Sequence, residues 1–402
     1  MVFHNPQPYY YYYFIFNKRP KNGENSSLCQ PSRNGDQMKF RCDRDSLAAA
    51  VSTAARAVAS RAGALPVLSG LRVTLSPGKV EFTGSDLELT IRAQTVAEVD
   101  GTGSVVLVAR LLVDTLAKIT ADTVTVEIGD DQAIIEAGRF RSEIRTLAAG
   151  DFPQLPEAEG EPVVVSGPPM AEGLRQVVPA ASRDDARPIL TGVLLAATET
   201  GLRLVATDSY RLAVRDLPGV SLLTGDKKVL VGAKGLGELQ KMIGESDVEV
   251  FLSDRYVVFR VPGAELTARL IEGEFPNYSQ LIPDEYPNCL TVGRDLLASA
   301  VERVSLVGGT SRDSAPIRLA MTSDGLELSA TATDIGQSFE PVEAQYSGTD
   351  VTMAFNARFL LDGVEAAGAE QVTIETVDPL KPAVLRGGTK EFLYLLMPVR
   401  IT

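Results

Sequence analysis

Three stretches of the chain share one pattern: GKVEFTGSDLELTIR at residues 78–92, GLRLVATDSYRLAVR at 201–215 and GLELSATATDIGQSF at 325–339. Each begins at a glycine, continues as a strand-like run rich in apolar residues, and then passes through an acidic turn. The starting glycines lie 123 and 124 positions apart. Because self-similarity at a fixed period is typical of repeat architectures, these stretches predict three copies of one folding unit.

Other features recur with the same period. An apolar strand leads into a helix whose start carries Ala followed by a basic residue, and these residues, Arg110, Lys234 and Arg358, are each 124 positions apart. Each unit also opens with a helix-like segment, starting at residues 45, 170 and 295. The related stretches PVLSGL and PILTGV follow the first two of these segments. Chance agreement of so many features is not credible.

Within one unit the pattern predicts a helix, about three strands, a second helix and further strands, which makes each unit α+β with a largely antiparallel sheet. VTVEIGDDQAIIEAG at residues 124–138 predicts a hairpin, because its apolar residues alternate on both sides of an acidic turn. We expect Asp45 or Ser46 to cap the first helix. The predicted domains are 38–160, 161–286 and 287–402, after a disordered extension at 1–37 that contains five consecutive tyrosines.

The composition excludes several classes of enzyme, although catalysis by lysine or carboxylate groups stays open. The single histidine, His4, lies in the extension, which excludes Ser-His-Asp and Cys-His catalysis and histidine zinc sites. The three cysteines lack metal-ligand spacing and are typical of a reducing cytoplasm, so we expect no cofactor, no metal and a cytoplasmic location. The glycine-rich GAKGLG at 232–237 lacks the pattern of a phosphate-binding loop. No apolar run is long enough to span a membrane.

Charge is divided unevenly along the chain. The net charge is −13, whereas the six predicted helical segments together carry a small positive charge. Basic residues recur in or just after these helices, which favours one face that offers spaced cations to a phosphate backbone. Ordinary solvation of helix surfaces remains the alternative for any single residue. The candidate DNA-facing residues are Arg61, Arg110, Arg183, Lys234 and Arg358.

From Met38 onward the sequence resembles the bacterial DNA polymerase III beta subunit family, the replicative sliding clamps. The resemblance is carried by MKF at 38–40, LPVLSGL at 65–71, ATDSYRLAV at 206–214, EGEFPNY at 272–278 and YLLMPVR at 394–400. It implies a head-to-tail homodimer that forms a ring around duplex DNA, with helices lining the hole. Such a ring would be non-catalytic and would tether the replicative polymerase and repair proteins for processivity.

The resemblance also implies specific sites and partners. A pocket between the second and third units would bind short peptide motifs of the polymerase alpha subunit, the clamp loader, other polymerases and repair proteins. Its implied residues are Leu190, Thr207, Ser209, Tyr210, Arg211, Leu212, Pro276, Leu281, Pro382, Leu395, Met397, Pro398, Val399 and Arg400. The implied dimer interface joins Ser142 and Ile144 of one copy to Leu306 and Val307 of the other. A repeat scaffold that binds only proteins remains the alternative function, since basic helices are weak evidence for DNA.

Overall fold

The computed structural model describes residues 38–59, 65–129, 131–308, 316–332 and 335–400. Arg61 and the extension at 1–37 lie outside the described residues. Each of the three repeats has two helices packed against antiparallel strands, which confirms the predicted α+β class and its threefold repetition.

The elements follow the same order in each repeat, except that the described residues of the second repeat form four strands between its two helices, whereas the first and third form five. The first repeat contains β1 (Met38–Asp43), α1 (Arg44–Ala55), β2 (Gly70–Ser76), β3 (Lys79–Ser85), β4 (Leu89–Val96), β5 (Glu98–Asp100), β6 (Gly103–Val108), α2 (Ala109–Leu116), β7 (Thr123–Ile128), β8 (Gln132–Ala137) and β9 (Phe140–Ala148). The second contains β10 (Val163–Val165), α3 (Gly167–Val177), β11 (Gly192–Ala197), β12 (Gly201–Thr207), β13 (Arg211–Pro218), β14 (Lys228–Gly232), α4 (Ala233–Met242), β15 (Val248–Leu252), β16 (Tyr256–Val261) and β17 (Ala264–Arg269). The third contains β18 (Asn288–Gly293), α5 (Arg294–Ser305), β19 (Pro316–Thr322), β20 (Gly325–Ala332), β21 (Gly336–Val342), β22 (Ala344–Ser347), β23 (Val351–Asn356), α6 (Ala357–Ala367), β24 (Gln371–Thr376), β25 (Ala383–Arg386) and β26 (Phe392–Leu396).

The local pattern explains these elements. Strand β7 has the sequence TVTVEI, in which Val124, Val126 and Ile128 are buried and the intervening residues are partly exposed. Strand β7 pairs with β8 in antiparallel register, which confirms the predicted hairpin. Helix α1 buries four residues at helical spacing. Its cap is Asp43, whose carboxylate accepts a hydrogen bond from the backbone N–H of Ser46, so the expectation of Asp45 or Ser46 was wrong by two to three positions.

The strands form three sheets of 13, 9 and 4 strands. The 13-strand sheet joins β10 and β15–β17 of the second repeat to β4 of the first repeat and the strands beyond it. The 9-strand sheet joins β11–β14 of the second repeat to β26 and other strands of the third. The 4-strand sheet belongs to the third repeat alone, and β21 is one of its edges. Two sheets therefore continue across the boundaries between repeats.

The helices and the strands they cover share large apolar cores. One core lies in the first repeat, and another extends through the second and third repeats. Among the described residues, no helix is long and apolar enough to cross a membrane.

Candidate functional site

The two boundaries between repeats are built in the same way. At the first junction, β4 pairs antiparallel with β17, with Leu89 opposite Ala268. At the second junction, β13 pairs antiparallel with β26, with Arg211 opposite Leu396. In each case a strand that follows the acidic turn meets the last strand of the next repeat, so the residues of the two junctions can be compared position by position.

The acidic turn that precedes each of these strands has an unusual backbone. Leu87 and Ser209 are the two non-glycine residues of the described chain with positive φ, at 76° and 80°. The carboxylate of Asp208 accepts hydrogen bonds from the backbone N–H groups of Tyr210 and Arg211, at 2.9 and 3.0 Å. Since short polar side chains of this kind hold tight turns, the ATD motif fixes the directions of the two residues after it. Tyr210 points outward with 61% exposure, and Arg211 points inward.

Arg211 connects the second repeat to the third. Its guanidinium forms ion pairs with Asp208 at 3.0 Å and with Asp362 on α6. It also donates hydrogen bonds to the carbonyl of Pro179 at 2.5 Å and to the hydroxyl of Tyr394 at 3.3 Å. Burial raises the pKa of the Tyr394 phenol above its usual range, so Tyr394 stays neutral beside the cation. Arg211 therefore joins the two repeats, and it also lines a cavity of about 410 Å³ beside Tyr210.

An aromatic group completes this junction on the helix side. The Arg211 guanidinium lies 4.3 Å from the centroid of the Phe359 ring, and Tyr210 stacks on the same ring at 6.4 Å. Phe359 follows Arg358 at the start of α6. The side chain of Asn356 caps this helix by accepting hydrogen bonds from the backbone N–H groups of both residues. Exposed Tyr210 thus packs against α6, the helix that carries the candidate DNA-facing residue Arg358.

The outer face of the second junction is apolar. A separate cluster there contains Leu194, Ala196, Val205, Leu212, Val214, Leu230, Val384, Leu393 and Leu395. It is partly covered by Met397 and by side chains of the linker, residues 270–287, namely Ile271, Phe275, Tyr278, Ile282 and Tyr286. Sequence reasoning missed these linker residues, although the spaced aromatic and aliphatic residues of the linker were a signal for them. The cluster provides a surface suited to apolar peptide side chains.

The first junction lacks this apolar surface. Strand pairing identifies seven equivalent positions that are apolar at the second junction and polar or charged at the first. At the second junction they are Leu194, Ala196, Val205, Leu212, Val214, Leu393 and Leu395. At the first junction they are, in the same order, Arg72, Thr74, Thr83, Thr90, Arg92, Glu265 and Thr267. Arg92 and Glu265 form an ion pair at 2.7 Å across the first junction. The same backbone frame therefore carries a polar junction and an apolar junction.

The implied pocket residues are distributed over the second junction at different depths. Buried members are Leu190, Thr207, Arg211, Leu212 and Leu395; half-buried members are Pro382, Met397 and Pro398; exposed members are Ser209, Tyr210, Pro276, Leu281, Val399 and Arg400. Leu212, Leu395 and Met397 share the apolar cluster. The backbone N–H of Met397 donates to the carbonyl of Tyr210 at 2.9 Å, and that of Val399 donates to Ala354 at 2.7 Å. The C-terminal segment is therefore docked on the second and third repeats.

The candidate DNA-facing cations differ in their surroundings. Arg110, Lys234 and Arg358 occupy the second position of α2, α4 and α6. The Arg110 side chain is 93% exposed and lies 3.7 Å from Asp114, whereas Lys234 makes a 2.6 Å ion pair with Asp86 of the first repeat. Arg183 and Arg358 line one cavity of about 410 Å³ with Tyr210. Lys234 thus already contributes to an internal junction.

The implied interface residues differ in their exposure. Leu306 is exposed, and Val307 and Ser142 are half-buried. Ile144 has only 1% exposure, because its side chain points into the core of the first repeat. At an interface Ile144 could therefore contribute its backbone, whereas its side chain stays inside.

The described residues contain no group of three or more His, Cys, Asp or Glu residues placed to hold a metal ion.

Comparison with known proteins identifies the same three units. Family models of the DNA polymerase III beta subunit match as the N-terminal domain at residues 38–156, the central domain at 165–277 and the C-terminal domain at 279–400. A beta sliding clamp of Streptomyces coelicolor is 33% identical over 385 residues, covering 91% of this chain and all of that protein.

Solved structures agree with this match. The Caulobacter crescentus clamp, solved with polyethylene glycol at a putative beta-motif tethering region, is 29% identical with a TM-score of 0.82 over 91% of this chain and 99% of that one. The Pseudomonas aeruginosa clamp, solved bound to griselimycin, is 26% identical with a TM-score of 0.82 over 90% of this chain and all of that one. The chain belongs to the DNA polymerase III beta subunit family, the bacterial sliding clamps.

Proposed function

We propose that two copies of this sliding clamp close head to tail into a ring around duplex DNA and, without catalysing a reaction, tether polymerases and repair proteins to it. The ring would be retained on DNA by topology, which is compatible with a net charge of −13 and a few cations on the helices. Replication partners would bind through short peptides at the apolar second junction.

The observation that carries this proposal is a third junction left open by the fold. Each internal junction joins the strand after an acidic turn, β4 or β13, to a final strand, β17 or β26. The third repeat has an equivalent strand, β21, at a sheet edge. The first repeat has an equivalent final strand, β9: its residues 146–148 pair with β6, whereas residues 140–145 pair with β8 on one side and have no partner strand on the other within the described residues. Because unpaired strand edges favour pairing with another chain, β21 of one copy and β9 of a second copy would complete the ring.

The register of this third junction follows from the other two. Transfer of their pairing places Ser338 of one copy opposite Ser142 of the other, and Phe339 opposite Arg141. Phe339 is 72% exposed in the single chain, so pairing would cover part of an apolar ring. A cation over this ring would add a favourable contact.

A charge-swap experiment tests both the ring and its register. The double variant S142D/S338D places like charges opposite each other at both seams, so we expect a monomer at micromolar concentration by light scattering. The variant S142D/S338K places opposite charges there and should remain a dimer. If the two double variants have the same oligomeric mass, the proposed register is contradicted. A monomeric wild type would contradict the ring.

The topological role needs a separate assay. After assembly by a clamp loader, the wild type should stay on circular plasmid and be lost from linear plasmid by sliding off the ends. Equal loss from both forms would contradict encirclement and favour a scaffold that binds only proteins.

A further inference from the structure

A groove of about 960 Å³ lies at the first junction, where α3 and α4 of the second repeat approach the turn before β4. Its apolar lining includes Leu89, Leu174, Val178, Ala181, Ala268 and Ile271. This size and an apolar lining with a polar rim are typical of sites that bind small organic groups.

The second junction shows what the groove lacks. There, the equivalent place is filled by Phe359, which packs against Tyr210 and Arg211, and the remaining cavity is about 410 Å³. At the first junction, Gly235 occupies the position of Phe359 on α4, while Glu88 and Leu89 take the positions of Tyr210 and Arg211. The fold therefore accommodates an aromatic ring here, and the first junction supplies none from its own chain.

The glycines of α4 have no backbone reason to be glycine. Gly235 and Gly237 lie within the helix and do not have positive φ, and glycine disfavours a helix because of its conformational freedom. A Cβ on Gly237 would be in ordinary contact with Val178 at 3.5 Å, whereas one on Gly235 would be 3.3 Å from Leu89 Cδ1, so the end of the Leu89 side chain would have to shift slightly. Both glycines line the groove, so the absence of their side chains keeps it open.

The rim favours an uncharged occupant. Lys234 pairs with Asp86 at 2.6 Å, Lys241 with Glu238 at 2.9 Å and Arg269 with Glu88 at 3.4 Å. Arg175 pairs with Glu172 at 2.7 Å, and Arg183 and Asp185 add one charge of each sign to the lining. Because these charges balance, a charged ligand would gain little net attraction from the rim. We propose that the groove at the first junction is a second binding site, distinct from the apolar second junction, that takes an uncharged aromatic ring of phenyl or indole size.

The chain contains no tryptophan, so the fluorescence of a tryptophan ligand reports its own binding without background. N-acetyl-L-tryptophanamide should bind the full-length protein saturably, with a blue-shifted emission and a dissociation constant on the order of 0.1–1 mM for a ligand of this size. Tighter binding than that of free indole would assign the site to an aromatic side chain of a partner peptide. Equal binding would assign it to a free aromatic molecule.

Two variants locate the site. Gly235→Phe supplies the missing ring from α4 and should weaken binding at least tenfold. Gly237→Phe covers the groove from a half-buried position two residues further along α4 and should do the same if Gly235→Phe folds poorly. Met397→Ala, in the apolar cluster of the second junction, is the matched control and should leave binding of the amide unchanged. No saturable binding to the wild type, or loss with Met397→Ala but not with the glycine variants, would overturn the proposal.

Discussion

Arg211 shows how one side chain can hold two repeats together. In the structure its guanidinium is buried between two carboxylates, a carbonyl and a phenol. Four partners from both repeats satisfy most of its donors. This arrangement is far more sensitive to truncation than an exposed ion pair, because truncation leaves two carboxylates without their cation.

Arg211→Ala should therefore lower the free energy of unfolding by about 3 kcal/mol. Arg187→Ala is the matched control, since Arg187 pairs with Asp184 at 2.9 Å on the exposed side of the same junction and should cost under about 1 kcal/mol. Chemical denaturation of both variants measures the difference. Similar losses for the two arginines would show that Arg211 does not hold the junction.

Cys42 provides a pH-dependent prediction. Burial, with a smaller contribution from Asp43, raises the pKa of the Cys42 thiol to about 11. Because the pKa of this thiol is higher in the folded than in the unfolded chain, the protonated thiol contributes fully to stability below the ordinary thiol pKa. That contribution is lost as pH rises through about 11. The stability of the wild type should therefore fall by about 2 kcal/mol relative to Cys42→Ala between pH 8 and pH 10.5. If the free energies of unfolding of the wild type and of Cys42→Ala change in the same way with pH, Cys42 makes no such contribution.

At the scale of elements, strands β13 and β26 show how one frame acquires a binding surface. Their outward residues Leu212 and Leu395 pair with each other, and the equivalent residues of β4 and β17 are Thr90 and Thr267. Both pairs form regular antiparallel ladders, so backbone pairing is independent of the outward side chains. The apolar surface is therefore a property of side-chain identity on one face.

Replacing the second-junction pair by its first-junction counterpart should remove peptide binding. We expect the double variant L212T/L395T to bind polymerase peptides at least tenfold more weakly, because both leucines are buried and each change removes apolar packing from the cluster that supports the binding surface, while the dimer mass stays unchanged. The reverse change at the first junction, T90L/T267L, is the control and should leave peptide affinity at the wild-type value. Fluorescence anisotropy of a labelled peptide measures both. Retained affinity in L212T/L395T would place the peptide elsewhere.

At the scale of the whole molecule, charge decides how the clamp meets DNA. The chain is acidic overall, and the helix cations differ in how far they are neutralised. Arg110 is the most exposed of the helix cations that form an ion pair, and its partner Asp114 lies 3.7 Å away. Lys234, in contrast, pairs with Asp86 across the first junction. Contacts with phosphates should therefore be few and sensitive to salt.

Arg110→Glu should shorten the lifetime of the clamp on linear duplex and reduce the slope of log affinity against log salt by about 1. The control is Lys79→Glu on strand β3, where an exposed lysine bonded to Gln94 undergoes the same change of charge. Salt titrations of both variants separate a local contact from a general effect of net charge. Equal slopes for the two variants would remove Arg110 from the DNA-contact set.

The sequence by itself determined the local features. The fixed period predicted three copies, and alternation predicted strands such as β7 and β8, because the side-chain period of a strand is two and is visible in one dimension. The family motifs were sufficient for the family, which three matching models confirm. The first helix was also predicted, although its cap lies at Asp43, just before the apolar pattern begins.

Only the tertiary structure decided how these units are joined and which side chains are available. The family resemblance implied an interface role for Ile144 and a pocket role for Arg211, and only the structure shows that both side chains are buried. The repeated Ala-basic position made Lys234 a candidate for DNA contact, and only the structure shows its ion pair with Asp86, which lies 148 residues earlier in the chain. Burial and pairing of this kind depend on segments far apart in sequence, and they are fixed only when β4 meets β17 and β13 meets β26.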